Sequence, residues 1–279
     1  MTSPPTVRTL SPEEIERLID WARIEGWNPG LRDAGPFRTA DPSGFIGCFV
    51  GHEMVSGISA VRYGTAFGFI GLYICHPAHR GKGFGRLVWD AGMAHLEGRT
   101  IGLDGVPEQQ ANYRSMGFVP AYQTSRWSGR LDVVAGNRGS VRVTQDVLDD
   151  LLAFDARHFP AERSSFLKEW LRFPRSARTV IRDGAIRGYT VMRRCHDGFK
   201  IGPLFAETFD EAETLLEACA AEVDGAVLHL DVPDEQKGFA EHLRARGFSR
   251  GFTTARMYRG PAPRLHMAGV FAITTLELG

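Results

Sequence analysis

Apolar positions along this chain alternate between two periods, and each switch marks an element. Ile15, Leu18, Ile19 and Ala22 recur at helical spacing behind Ser11-Pro12-Glu13-Glu14, which has the form of a capping box with proline at the first helical position. A first helix is therefore predicted there, after a short strand at Val7 to Leu10. Gly26-Trp27-Asn28-Pro29-Gly30 is too rich in breakers to stay helical, and a mixed segment runs on to Ser43. Two apolar strands follow, Gly44 to Val50 and Val55 to Tyr63, joined by a turn at Gly51-His52-Glu53, and Phe67 to Ile74 continues the meander. Helical spacing returns at Phe84, Leu87, Val88, Ala91 and Ala94. Thr100 to Asp104 is then a short strand, and Gln109 to Met116 a short helix that stops at Gly117.

The pattern then begins again. Gly117-Phe118, Tyr122, Thr124, Arg126 and Trp127 align without a gap on Gly247-Phe248, Phe252, Thr254, Arg256 and Met257, at a constant shift of 130. Gly57 and Arg62 match Gly188 and Arg193 at 131, and Leu103-Asp104 matches Leu230-Asp231 at 127. Loops absorb such small differences. Two copies of one αβ unit are the simplest explanation, with a first domain over 1–130, a second over 140–279, and the boundary in the glycine-rich stretch Gly129 to Ser140.

The copies differ at one loop. In the first, the strand Phe67 to Ile74 leads through Arg80, Gly81, Lys82, Gly83 and Gly85 directly into a helix. The first amides of a helix have no partner within it and the dipole there is positive, so the site suits an anion. Glycine lets the amides come close to it, and Arg80, Lys82 and Arg86 add positive charge. A pyrophosphate is the natural guest. A nucleoside-triphosphate loop would need a hydroxyl after Lys82, where Gly83 stands, and a dinucleotide fingerprint would need glycine at Val88.

What remains, Arg80-x-x-Gly83-x-Gly85 between a strand and a helix, resembles the GNAT superfamily of acyl-CoA-dependent N-acetyltransferases. The resemblance implies an α/β (α+β) fold made of two tandem GNAT-like domains. Each would be a mixed, mostly antiparallel twisted sheet flanked by helices. It further implies that acetyl-CoA lies along Tyr73 and Ile74, that its pyrophosphate is wrapped by Arg80, Gly81, Lys82, Gly83, Phe84, Gly85 and Arg86, and that Asn112 adds a contact. Tyr113 takes the place of the family's proton donor to the departing thiolate, a role suited to a phenol protonated at neutral pH. No general base is obvious; proton removal through water to Asp104, with Glu53 or His76 as alternatives, is the expectation. The Trp27, Asn28 and Asp33 loop, and the matching cluster with Asp155 and Arg163 in the second copy, are expected to contact the acceptor.

The second copy should not bind CoA. Pro203 to Phe209 has no G-x-G, Glu207 and Glu211 oppose a phosphate, Thr208-x-x-Glu211 has the form of a capping box, and Leu243 stands in place of Tyr113. The layout is similar to a subgroup of GNAT proteins with a degenerate C-terminal domain and a comparable chain ending, here Met267 to Gly279. Equal numbers of basic and acidic residues, 33 each, create no broad field for nucleic acid or membrane. With no span-length apolar run and no leader-like start, a cytoplasmic protein is expected. Cys48, Cys75, Cys195 and Cys219 are too scattered for a metal site, so none is expected. The expected reaction is direct acetyl transfer from acetyl-CoA to a primary amine of a small molecule, by a monomer or homodimer. The alternatives are a non-catalytic acyl-CoA sensor and an acetyltransferase of protein lysines or N-termini.

Overall fold

The computed structural model describes residues 4–132 and 139–279; residues 133–138, in the middle of the expected linker, lie outside the described residues. Two halves repeat one order of elements. The first runs β1 (Pro5–Thr9), α1 (Pro12–Ile24), α2 (Ala34–Ala40), β2 (Phe45–Val50), β3 (Glu53–Tyr63), β4 (Phe67–Cys75), α3 (Phe84–His95), β5 (Thr100–Gly105), α4 (Gln110–Ser115) and β6 (Val119–Gly129). The second runs β7 (Val141–Arg142), α5 (Leu148–Asp155), α6 (Ser164–Trp170), β8 (Ser176–Arg182), β9 (Ala185–Arg194), β10 (Phe199–Ala206), α7 (Phe209–Ala220), β11 (Leu228–Pro233), α8 (Lys237–Ala245) and β12 (Ser249–Arg259), and a tail adds β13 (Val270–Ala272).

Local chemistry sets the first of these elements. The Ser11 hydroxyl accepts the Glu14 amide at 3.3 Å while the Glu14 carboxylate accepts the Ser11 amide at 2.8 Å, so the capping box closes, and Arg8 clamps Glu14 from outside at 2.7 Å. The corresponding expectation at Thr208 fails: its hydroxyl donates to the Glu211 carboxylate and makes no cap bond to the helix backbone. Glu207 is neutralised by Arg157 at 3.2 Å and Arg187 at 2.8 Å.

Among the described residues all strands belong to one sheet, in the order β1-β2-β3-β4-β5-β12-β6-β11-β10-β9-β8-β7, with β13 on β10. Pairing is antiparallel throughout except between β4 and β5 and between β10 and β11, which run parallel. The last strand of each half is exchanged. β12 of the second half lies against β5 of the first, and β6 of the first lies against β11 of the second. Two buried ion pairs mirror this exchange: Arg126 on β6 grips Asp231 on β11 at 2.8 and 2.9 Å, and Arg256 on β12 grips Asp104 on β5 at 2.8 Å through both oxygens.

The halves also share a core. On one face of the sheet, Leu18 and Phe37 of the first half pack in the same cluster as Phe159, Trp170 and Tyr189 of the second, with Phe37 stacked on Trp170 at 6.0 Å. The other face of the first half is covered by α3, through Val88 and Trp89 against Ile58, Ile70 and Leu103. Among the described residues no helix is long and apolar enough to cross a membrane.

Candidate active site

The site begins where two parallel strands part. β4 and β5 are paired from Phe67 and Thr100 as far as Ile70 and Leu103, and no further. Leu72 takes a positive φ of 45°, and the register of β4 on β3 shifts between Gly57 and Ser59, so a bulge turns β4 away from its neighbour. The gap is a cleft of about 590 Å³, lined by Gly71 to Cys75 on one side and by Leu103, Asp104 and Tyr113 on the other.

Past β4 the chain makes a single 3₁₀ turn at Pro77–His79 and enters the glycine loop. Gly81 and Gly83 take φ of 75° and 84°, a region that side chains disfavour, and Gly83 is the N-cap of α3 with no side-chain cap. Among the described residues, no hydrogen bond to another protein group uses the amides of Gly81, Lys82, Gly83 or Phe84. The loop is exposed, and a Cβ on either left-handed glycine would meet nothing within 4 Å. These free amides at a helix start fit a diphosphate. Gly85 has a different reason: its Cβ would sit 3.0 Å from the Tyr73 hydroxyl, which stands between loop and cleft.

An acetyltransferase (GNAT) family model matches residues 12–118, and a GNAT acetyltransferase domain model matches residues 151–272. A holothin acyltransferase of a Pseudoalteromonas species is 36% identical over 278 residues, covering 98% of this chain and 94% of its own. The chain belongs to the GNAT acetyltransferase family. It is an acyltransferase with a second GNAT-like domain. YitH of Bacillus subtilis, named an uncharacterised N-acetyltransferase, is 25% identical over 84% of this chain and 86% of its own length. Among solved structures, a putative acetyltransferase of Pyrococcus horikoshii superposes with a TM-score of 0.84 at 21% identity, over 99% of this chain and 96% of that one. A tandem GNAT protein from the clavulanic acid biosynthesis pathway superposes at 0.63 with 15% identity, over 93% and 100%. These last two share the fold.

Seen as a GNAT cleft, the site holds some of the expected residues and not others. Tyr73, Ile74, Arg80, Asn112, Tyr113 and Trp27 all line it. Arg80 is drawn to Glu25 and donates to the Cys75 carbonyl at 3.1 Å, Lys82 bonds the Ala78 carbonyl at 3.0 Å, and Arg86 pairs with Asp90 at 2.7 Å. Tyr113 stacks on Trp89 at 5.7 Å, and burial pushes its phenol above the usual range, so it stays protonated. Burial likewise raises the Cys75 thiol. His79 pairs with Glu53 at 3.1 Å, and His76 packs between Trp21 and His79.

Asp104 borders the cleft, but both its oxygens are taken by Arg256, which makes it a strand-joining anion and not a free base. Four of the groups expected to contact the acceptor lie outside the cleft because they tie the halves together or hold the second one. Asn28 exchanges two hydrogen bonds with the backbone of Asp197, at 2.8 and 3.1 Å. Asp33 is buried against Arg193 at 3.1 Å and Arg175 at 3.5 Å. Asp155 is buried against Arg163, at 2.9 and 2.7 Å, and against the Tyr189 hydroxyl. Arg163 spends its charge there.

Among the cleft residues that sequence reasoning missed are Glu25, Glu108, Phe252, Thr254 and the tail residue Glu277. The matching gap in the second half is plugged. β10 and β11 part after Ile201 and Leu230, and the tail enters there, with β13 on β10 and the Ile273 amide on the Asp231 carbonyl at 2.9 Å. A Cβ at Gly202 would lie 2.5 Å from the Thr274 carbonyl. Among the described residues no group of three or more His, Cys, Asp or Glu is placed to hold a metal ion.

Proposed function

We propose that the protein transfers an acetyl group from acetyl-CoA directly to a primary amine of a small molecule, using the cleft of its first half. The observation that carries this reading is the run of unpaired amides from Gly81 to Phe84 at the mouth of a cleft that also contains a protonated tyrosine. The loop would hold the diphosphate, with Arg80, Lys82 and Arg86 close by, and the thioester arm would lie along β4 past its bulge, between Tyr73 and Ile74 and the α4 residues Asn112 and Tyr113. The Tyr113 hydroxyl then protonates the leaving thiolate. The small-molecule acceptor is supported by the relative named holothin acyltransferase; the second half borders the cleft with Phe252 and Thr254.

The second half serves as wall and strand donor, since its own gap is filled by the tail. The experiment is a screen of amines with acetyl-CoA, following release of free thiol. Turnover with small primary amines supports the reading. Tight acetyl-CoA binding without turnover on any amine would favour a sensor, and turnover confined to peptides would favour a protein-modifying enzyme.

A further inference from the structure

Four carboxylates line the first cleft. Glu25 is held by Arg80, Asp104 is held by Arg256, and Glu108 is exposed. The fourth is Glu277. It is 2% exposed, and its Oε2 is buried with no hydrogen-bond partner among the described residues. A buried carboxylate oxygen without a donor is unfavourable enough that proteins almost always supply one, so its persistence calls for an explanation.

The backbone around Glu277 is fixed to a degree that a frayed chain end is not. The Thr275 hydroxyl accepts the amides of Glu277 and Leu278, at 3.2 and 2.9 Å. Ser59 donates to the Glu277 carbonyl at 3.3 Å, and the Tyr63 hydroxyl donates to the Leu278 carbonyl at 3.0 Å. Glycine at 71 makes room, since a Cβ there would lie 2.0 Å from the Glu277 carbonyl oxygen. The tail thus crosses β4 at Gly71, the first residue past its pairing with β5, and Glu277 shares the cleft that opens there with Tyr113.

We propose that the Glu277 carboxylate binds the acceptor's ammonium group and takes its proton, an inference that rests on the acetyltransferase reading above. The acceptor enters as its ammonium ion, the donor that the buried oxygen lacks. One proton passes to the carboxylate and later to solvent. The freed nitrogen lone pair forms the bond to the thioester carbonyl carbon. As the adduct collapses, the carbon–sulfur bond breaks and the thiolate takes the Tyr113 proton. The nitrogen's second proton replaces the one Tyr113 has given, so one proton leaves per turnover and the products are amide and free thiol. The same carboxylate also lies in the field of Lys200, Arg126 and Arg193, with Asp104 as an anionic neighbour. The rival role is therefore a counter-charge to those buried cations.

The test uses the full chain and an amine from the thiol-release screen. Glu277→Gln keeps the shape and removes the charge. It is expected to lower kcat/KM for the amine by about 100-fold or more while acetyl-CoA affinity by calorimetry is unchanged, with Glu277→Asp recovering part of the loss. Should the glutamine variant not fold, the parent protein decides: in the presence of CoA, which cannot react, the primary amine should bind at least about tenfold more tightly than its alcohol counterpart. Parent-like kinetics in Glu277→Gln, or equal binding of amine and alcohol, would overturn the proposal and leave Glu277 as a counter-charge. A parent protein that neither binds acetyl-CoA nor releases thiol would overturn the acetyltransferase reading instead, a failure distinguishable from the first.

Discussion

Arg256, on the last strand of the second half, holds Asp104 of the first half through two hydrogen bonds of 2.8 Å, and Arg126 with Asp231 makes the reciprocal pair. Each half thus lends its final strand and that strand's buried arginine to the other. Removing one partner of such a pair leaves an uncompensated buried charge, at about 3–5 kcal/mol. The exchange has a consequence for cutting the chain. Residues 1–130 expressed alone would leave β5 without β12, Asp104 without Arg256, and Leu18 and Phe37 without their share of the common core. That fragment is expected not to fold, as read by far-UV circular dichroism and NMR dispersion; a cooperative melt for the isolated fragment would contradict it.

Acid should attack the seam from the Asp231 side. Burial works to raise this carboxyl, but the charges of Arg126 and Lys200 outweigh it and hold it down from 3.8 to about 2. A carboxyl lowered by folding binds fewer protons in the folded than in the unfolded chain. Its contribution is therefore present above pH 4 or so and is lost as pH falls towards 2, in total about 2 kcal/mol. Urea midpoints at pH 5 and pH 3 measure it. Asp231→Asn should start less stable, because Arg126 is left unpaired, and should lose less between the two pH values than the parent does.

Tyr113 packs on Trp89 and Phe118 through its ring, so its hydroxyl can be removed with little change to the core. Tyr113→Phe is expected to lower turnover by about 100-fold while acetyl-CoA affinity and melting temperature stay as in the parent. Equal turnover in the two proteins would leave Tyr113 as packing alone.

Elements with a strong period could be read from the chain directly, and so could the glycine loop, whose spacing between strand and helix carries its own physics. The duplication was equally legible. The strand exchange was not, because β6 and β12 are copies: the stretch from Gly117-Phe118 to Arg126 and that from Gly247-Phe248 to Arg256 offer the same edge to either neighbour. Polar residues beside chain breakers, such as Asn28 and Asp33, looked like binding groups because their partners, Asp197 and Arg193, lie far along the chain. Spacing cannot reveal neutralisation by a distant residue. Glu277 stands in a tail without periodicity, and only the fold brings it to Gly71.

The central claim is that the amides from Gly81 to Phe84 hold the diphosphate of acetyl-CoA and that the second half holds none. Calorimetric titration of acetyl-CoA into the parent and into Gly83→Glu tests both parts. A Cβ at Gly83 meets no atom within 4 Å, so the variant should stay folded despite the positive φ, while its carboxylate faces the phosphates. The account predicts one acetyl-CoA per parent chain and affinity reduced by at least about tenfold in the variant. Two molecules per chain, or unchanged affinity in Gly83→Glu, would contradict it.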